Sequence, residues 1–346
     1  MDRSPKSTIR VGKAAIGEGA PTYVVAEMAC AHEADVERAK RLVDVAAGAK
    51  ADAIQLQIFS ADRLASPLID NHRVLKKLEV PTGRWPEILS HAKRTGLHVW
   101  VNVFDEEALQ VAIEAGVDGL KLHSSDLSNP RMLDAVAKAG KPVSLAVGGS
   151  TLDEIAAAID RMRQGGAEEL LLMHGYQGYP TLPEDGRLRY IGTLKRVFGC
   201  PVGYQDHTDG GSDLATILAL VAIGAGACVL EKHFIDDRSL KGTDHHSSLD
   251  PGPFARFVQL VREVDVALGD GTVRPLSEGE AKYRKALKKS LVAACEIRHN
   301  EVVGEEMLVC LRSEAGLSPM RLAEVVGRKA KRDIGRFEPI EWEMLE

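Results

Sequence analysis

The chain predicts an α/β protein, a (β/α)8 TIM barrel followed by a small β-rich C-terminal module. Three observations carry this reading. Between Tyr23 and Ala267 short apolar runs alternate with longer segments of helical period, eight times over. No GxGxxG follows the first run, which disfavours an open dinucleotide-binding sheet. After Ala267 the pattern breaks at Gly269, Gly271 and Pro275, and a different composition follows.

In order, the strands are expected at Tyr23–Glu27, Ala53–Gln57, His98–Val103, Gly119–Leu122, Val143–Val147, Leu170–His174, Val202–Asp206 and Val229–Lys232. The intervening helices show one apolar stripe each, as at Val36, Ala39, Val43 and Ala46, or at Leu152, Ile155, Ile159 and Met162. Thr151 with Glu154 forms a capping-box pattern, and Asn129 before Pro130 suits an N-cap and first helical residue. Gly96, Gly116, Gly140 and the pair Gly165–Gly166 stand where helices end, in positions that favour left-handed backbone. The barrel is assigned to residues 1–270, a linker to 271–289 and the module to 290–346. In the module, β-prone runs at Leu291–Ala294 and Met307–Leu311, a turn at Arg298–Glu301 and a compact helix near Pro319–Val326 are expected.

Composition narrows the function. Lys and Arg number 44 against 50 Asp and Glu, a formal charge of −6 with no basic domain, so nucleic acid is not an expected partner. The basic stretch Lys282–Lys289 reads as a solvated helix face, with a polyanion site as the alternative. Five cysteines without CxxC spacing point to a reducing compartment. The N-terminal segment lacks a signal-peptide apolar core, and no apolar run is long enough to span a bilayer, so a cytoplasmic protein without membrane contact is expected.

In such barrels reacting groups project from the C-terminal ends of the strands. Those ends carry Glu27, Gln55 and Gln57, Asn102, Lys121 with Ser124 and Asp126, His174, Gln205 with Asp206 and His207, and Lys232 with His233. His207 and His233, on adjacent strands, can share one divalent cation or stand as hydrogen-bonded rim histidines. Lys121 faces inward, and its burial calls for an anionic ligand or an ion pair with Glu27 or Asp126. The polar segment Arg238–Pro251 reads as an active-site loop carrying Asp244, His245 and His246.

The runs VVAEMACAHEADVERAKRLVDVA, ADAIQLQIF, GLKLHSSDLSNPRMLDAVAKAGKPVSLAVGGSTLDEI, LLMHGYQGYPTLPED, VGYQDHT, EKHFIDDRSLKGTDHHSSLDP and GLSPMRLAEVVGRKAKRDIGRFEPI resemble the N-acetylneuraminate (sialic acid) synthase family, including its spore-coat polysaccharide relatives. The resemblance spans nearly the whole chain with motifs in order. It implies a barrel followed by an antifreeze-like (SAF) domain in a homodimer, with that domain covering the partner's active site. It also implies condensation of phosphoenolpyruvate with an aldose such as N-acetylmannosamine, dependent on manganese or magnesium. On this resemblance His207 and His233 are metal ligands, Glu27, Lys121 and Asp126 catalytic, Gln57 substrate-binding, and Lys121 with Ser124 phosphate-side ligands. Tyr179, Asp244 and Arg312 are acceptor-side, with Arg312 delivered from the neighbouring subunit.

Several positions depart from the family's pattern. Gln55 stands for a lysine, Asn102 for a threonine, Gln177 for asparagine or serine, Gln205 for a serine, Asp126 for a glutamate and Ala31 for an asparagine. Losing a cation at Gln55 weakens the grip on a multiply charged enol phosphate. Two alternatives stay open: the same fold with a different donor or acceptor, and a non-catalytic sugar-binding relative.

Overall fold

The computed structural model describes residues 6–346. The chain divides into two compact units, Met1–Asp270 and Gly271–Glu346. In the first, an antiparallel hairpin of β1 (Thr8–Val11) and β2 (Ala14–Gly17) precedes eight parallel strands. These are β3 (Tyr23–Glu27), β4 (Ala53–Ile58), β5 (His98–Val103), β6 (Gly119–Leu122), β7 (Val143–Ala146), β8 (Leu170–His174), β9 (Val202–Asp206) and β10 (Val229–His233). They close into a barrel in sequence order, β10 pairing with both β9 and β3. All eight predicted strands form, with ends displaced by one residue at Ile58, Ala146 and His233.

The strands read as nearly continuous apolar runs because each is buried on both faces, against the interior and against the surrounding helices. Helix Val36–Gly48 buries Val36, Ala39, Leu42, Val43 and Ala46. The capping box at Thr151 and Glu154 forms with both bonds, and Asn129 caps the helix that begins at Pro130. One glycine reading changes. Gly165 is right-handed, and Gly166 alone takes the left-handed turn at φ 101°. Gly165 is small because a Cβ there would come within 2.5 Å of the Ala137 Cβ.

The barrel interior is layered. Tyr23, Val25, Ala53, Trp100, Leu171, Met173 and Val229 fill its lower half and pack on Ile9, Val11 and Ile16 of the hairpin. Gly119 makes room for this layer, since a Cβ would meet the Trp100 ring at 2.5 Å. Side chains two residues further along each strand share the inward face. Moving from Val25 to Glu27, Ala53 to Gln55, Trp100 to Asn102, Gly119 to Lys121 and Val229 to Glu231 therefore replaces an apolar plug by a polar layer.

The second unit holds a helix, Glu278–Leu287, capped by Ser277 and Glu280, within the segment assigned from sequence to a linker. After it β11 (Lys289–Ala293) pairs antiparallel with β12 (Leu308–Arg312), Leu291 standing opposite Cys310. The expected helix near Pro319 is a 3-10 turn, Pro319–Arg321, running into one α-turn, Leu322–Val325. Leu291, Ala293, Ile297, Val303, Val325 and Ile334 belong to its own apolar core. Among the described residues, no helix is long and apolar enough to cross a membrane.

Candidate active site

Lys121 rises from β6 into the polar layer with about 2 % of its surface exposed. Its ammonium donates to Glu231 Oε1 at 2.6 Å and Oε2 at 2.7 Å, while Glu27 Oε2 lies 3.9 Å away. Of the two ion-pair partners considered from sequence, Glu27 stands at the edge of contact and Asp126 makes no ion pair with Lys121 in the structure. The primary partner is Glu231, which the sequence reading passed over. A signal existed: two-residue alternation back from His233 on β10 puts Glu231 on the same inward face.

Glu27 is fully buried. Its Oε1 accepts from the Ala29 amide at 2.7 Å and from Gln57 Nε2 at 3.1 Å, and its Oε2 accepts from Gln55 Nε2. Burial raises its pKa to about 7, with the Lys121 charge and the Gln55 amide pulling the other way. For Glu231 burial also pushes upward, but the Lys121 ammonium and the amide of Gln205, 2.9 Å from Oε1, outweigh it and hold the carboxyl below its usual range. Gln55 and Gln205 thus each have an amide nitrogen committed to a buried carboxylate.

At the upper rim the His207 and His233 rings stand 5.2 Å apart at 75°. The Tyr179 ring lies 4.4 Å from His207 and 6.1 Å from His233. His207 Nδ1 is 2.8 Å from the Tyr176 carbonyl oxygen. A carbonyl only accepts, so Nδ1 carries the proton and Nε2 presents a lone pair. His233 Nδ1 is buried without a hydrogen-bond partner. Burial lowers the pKa of both imidazoles, which keeps them neutral, as ligating histidines must be. The pair therefore fits a divalent cation that takes its other ligands from substrate or water. Among the described residues no cluster of three or more His, Cys, Asp or Glu side chains is arranged to hold a metal by itself.

Elsewhere in the barrel and its loops several polar atoms are buried without a partner: both side-chain atoms of Asn102, Ser144 Oγ, Gln205 Oε1 and Gln177 Nε2. Gln177 Oε1 accepts from the Tyr179 hydroxyl at 3.1 Å. Ser124 and Asp126 lie in a 3-10 turn after β6, where the Asp126 carboxylate accepts from Asn129 Nδ2 at 2.8 Å. Asp244 takes a left-handed φ of 63° in the loop after β10, and burial raises its pKa. That loop is tied down by Thr243 N donating to Glu33 Oε1 and by Arg238 Nε donating to the His245 carbonyl. Arg312 is exposed on β12, opposite Lys289 in the second unit.

Two strand-end groups named from sequence serve the scaffold instead. His174 Nε2 lies 3.0 Å from the Gly186 carbonyl, with its ring against Tyr190 and Tyr204. Lys232 donates to Asp206 Oδ2 at 2.9 Å, and the other oxygen of Asp206 caps the Thr208 turn.

Comparison with known proteins agrees with this fold. The profile of the NeuB family matches residues 42–273, and that of the SAF domain matches residues 288–346. A Methanocaldococcus jannaschii protein described as uncharacterized is 32 % identical over 97 % of this chain and 98 % of its own length. The N,N'-diacetyllegionaminic acid synthase of Legionella pneumophila is 29 % identical over 95 % of this chain and 96 % of its own. A crystal structure of N-acetylneuraminic acid synthetase from Leptospira borgpetersenii superposes with a TM-score of 0.74 at 29 % identity, covering 81 % of this chain and 97 % of that one. The chain belongs to the NeuB family of sialic-acid-synthase-type enzymes and carries a SAF domain at its C-terminal end.

Proposed function

We propose that this chain condenses phosphoenolpyruvate with an aldose, N-acetylmannosamine or a related sugar, to give a nonulosonic-type 2-keto acid and phosphate for surface polysaccharide synthesis. One observation carries the reading: two facing neutral imidazoles stand at the rim of a closed barrel, above a buried Lys121–Glu231–Glu27 network. The synthase names borne by relatives of similar length support it.

His207 and His233 would hold Mn2+ or Mg2+, which when bound supplies Lewis acidity toward the acceptor's carbonyl. The chain's own residues do the rest. Lys121 and Ser124 face the donor's anionic end, with Gln55, Gln57, Asn102 and Gln205 shaping its pocket. Gln177, Tyr179 and Asp244 orient the acceptor, joined by Arg312 from the second subunit of a homodimer. The enol carbon attacks the aldehyde, water adds to the cationic carbon that results, and phosphate leaves by C–O cleavage. Glu27 or Asp126 positions that water and moves its proton.

The test is phosphate release and keto-acid formation from phosphoenolpyruvate with a panel of N-acetylated hexosamines and pentoses, before and after chelation. Release that requires both sugar and metal is the expected result. Sugar and metal binding without turnover of any donor would instead identify a sugar-binding relative.

A further inference from the structure

The segment between β3 and helix Val36–Gly48 is wound tightly and reaches two parts of the site. Ala29, Glu33 and Ala34 are left-handed, at φ 46°, 48° and 61°. An alanine has no polar side chain to offset that conformation, so it persists only where the surroundings impose it, and such residues gather where a site needs fixed geometry. Turn bonds impose it here: Ala31 N donates to the Met28 carbonyl, Glu33 N to the Cys30 carbonyl and Asp35 N to the His32 carbonyl, at 2.8–3.0 Å. At the start of the segment the Ala29 amide holds Glu27 Oε1. In the helix that follows, Arg38 grips Asp236, in the loop after β10, with two bonds of 2.6 and 2.9 Å.

Between these anchors stands Glu33, which has no part in the chemistry proposed above. Its Oε1 accepts from the Thr243 amide, one residue before Asp244. Gly242 lets the carboxylate approach bare backbone, since a Cβ there would lie 2.9 Å from the same oxygen. Lys241 and Asp244 are left-handed at φ 51° and 63°, so the Glu33 bond falls between two bends of the loop. Beyond them, the Ser247 amide and the Ser248 hydroxyl donate to the Asp244 carbonyl at 3.0 and 2.8 Å. Asp244 is thereby held from both sides. Its charge reaches the Tyr179 phenol, whose pKa is raised by burial and next by Asp244, and the Tyr179 ring lies 4.4 Å from His207.

Resting on the synthase reading above, we propose that Glu33 is a positioning residue for the acceptor sugar, acting through the Thr243–Asp244 backbone to set the Asp244 carboxylate against the acceptor. A bond from an amide to a carboxylate is charge-assisted and about twice as strong as a neutral one. Its donor is backbone, so the chemical requirement falls on residue 33 and not on the side chain at 243. Phosphoenolpyruvate, placed on the side of Lys121 and Ser124, does not depend on this tie.

Steady-state kinetics of the manganese-loaded full-length protein separate this role from a merely structural one. Glu33→Ala should raise KM about tenfold or more for whichever sugar of the panel turns over, the loss expected for one hydrogen bond to a charged group, while KM for phosphoenolpyruvate stays at the wild-type value. Glu33→Gln keeps an oxygen that accepts from Thr243 N and should recover most of that loss. Glu33→Asp draws the carboxylate back by one methylene and should move the sugar KM in the same direction as alanine, which keeps the test decisive if the alanine variant misfolds. Trypsin gives a readout independent of turnover: cleavage after the exposed Lys241 should be faster in Glu33→Ala than in wild type or Glu33→Gln. A wild-type sugar KM in Glu33→Ala and Glu33→Asp, or an equal rise in both KM values, would overturn this inference and leave the synthase reading intact. A wild type that turns over no sugar would remove both.

Discussion

At the scale of single residues, the site depends on burying charge only in pairs. Removing one partner of a buried ion pair typically costs about 3–5 kcal/mol, because the other charge is stranded away from water. Glu231→Gln leaves the Lys121 ammonium with only the Glu27 carboxylate, 3.9 Å away, so it should lower stability by about 2–4 kcal/mol in denaturant unfolding, part of the full cost being offset by Glu27. The double variant with Lys121→Met should recover much of the loss. A Glu231→Gln cost below about 1 kcal/mol would show that the pair is not energetically coupled. His32 gives a pH-dependent case. It is fully buried against Trp85, its Nδ1 accepts from the Ala34 amide, and burial lowers its pKa to about 4. Its folded pKa lies below the ordinary value, so the folded state resists protonation. Stability from this group is present above about pH 6.5 and drains away as pH falls toward 4, by up to about 3 kcal/mol. His32→Phe should flatten that acid slope, and an identical slope in wild type and variant would refute the assignment. Residue type and strand alternation made Glu27, Lys121, His207 and His233 legible as site candidates. The same rule reached Glu231, but its neighbours Lys232 and His233 drew the reading. Whether Gln55 meets a substrate or a carboxylate was invisible, because that depends on the register that sets it beside Glu27 on the neighbouring strand.

At the scale of elements, the repeat was readable because strand and helix periods differ and each helix buries one face. The hairpin at Thr8–Gly17 was not foreseen. It is only four residues a side, and its role of plugging the barrel floor is a tertiary demand. The interior of the barrel is equally specific. Gly119→Ala places a methyl against the Trp100 ring and should destabilise by roughly 1–3 kcal/mol, as overpacking does. Trp100→Phe should relieve part of that cost in the double variant. Additive losses would mean that the two positions do not touch.

At the scale of the molecule, the two units have separate cores, and the second carries an exposed Arg312. In the proposed dimer this guanidinium completes the acceptor side of the neighbouring barrel. Arg312→Ala should then raise KM for the sugar about tenfold or more, with the melting curve and dimer unchanged. Wild-type kinetics in a confirmed dimer would discard that role. The boundary between the units could be read from the loss of the βα repeat, whereas the helix at Glu278–Leu287 was legible only in part, as the solvated face at Lys282–Lys289, since none of its residues is buried to leave a stripe.

The proposed chemistry requires one cation gripped by two imidazoles, His207 and His233. Manganese titration followed by electron paramagnetic resonance tests this without reference to turnover. One tightly held ion per wild-type chain is expected, with His207→Ala and His233→Ala each weakened at least about tenfold, since losing a ligand costs more than losing a group that merely hydrogen-bonds to one. Wild-type affinity in both variants would contradict the central claim.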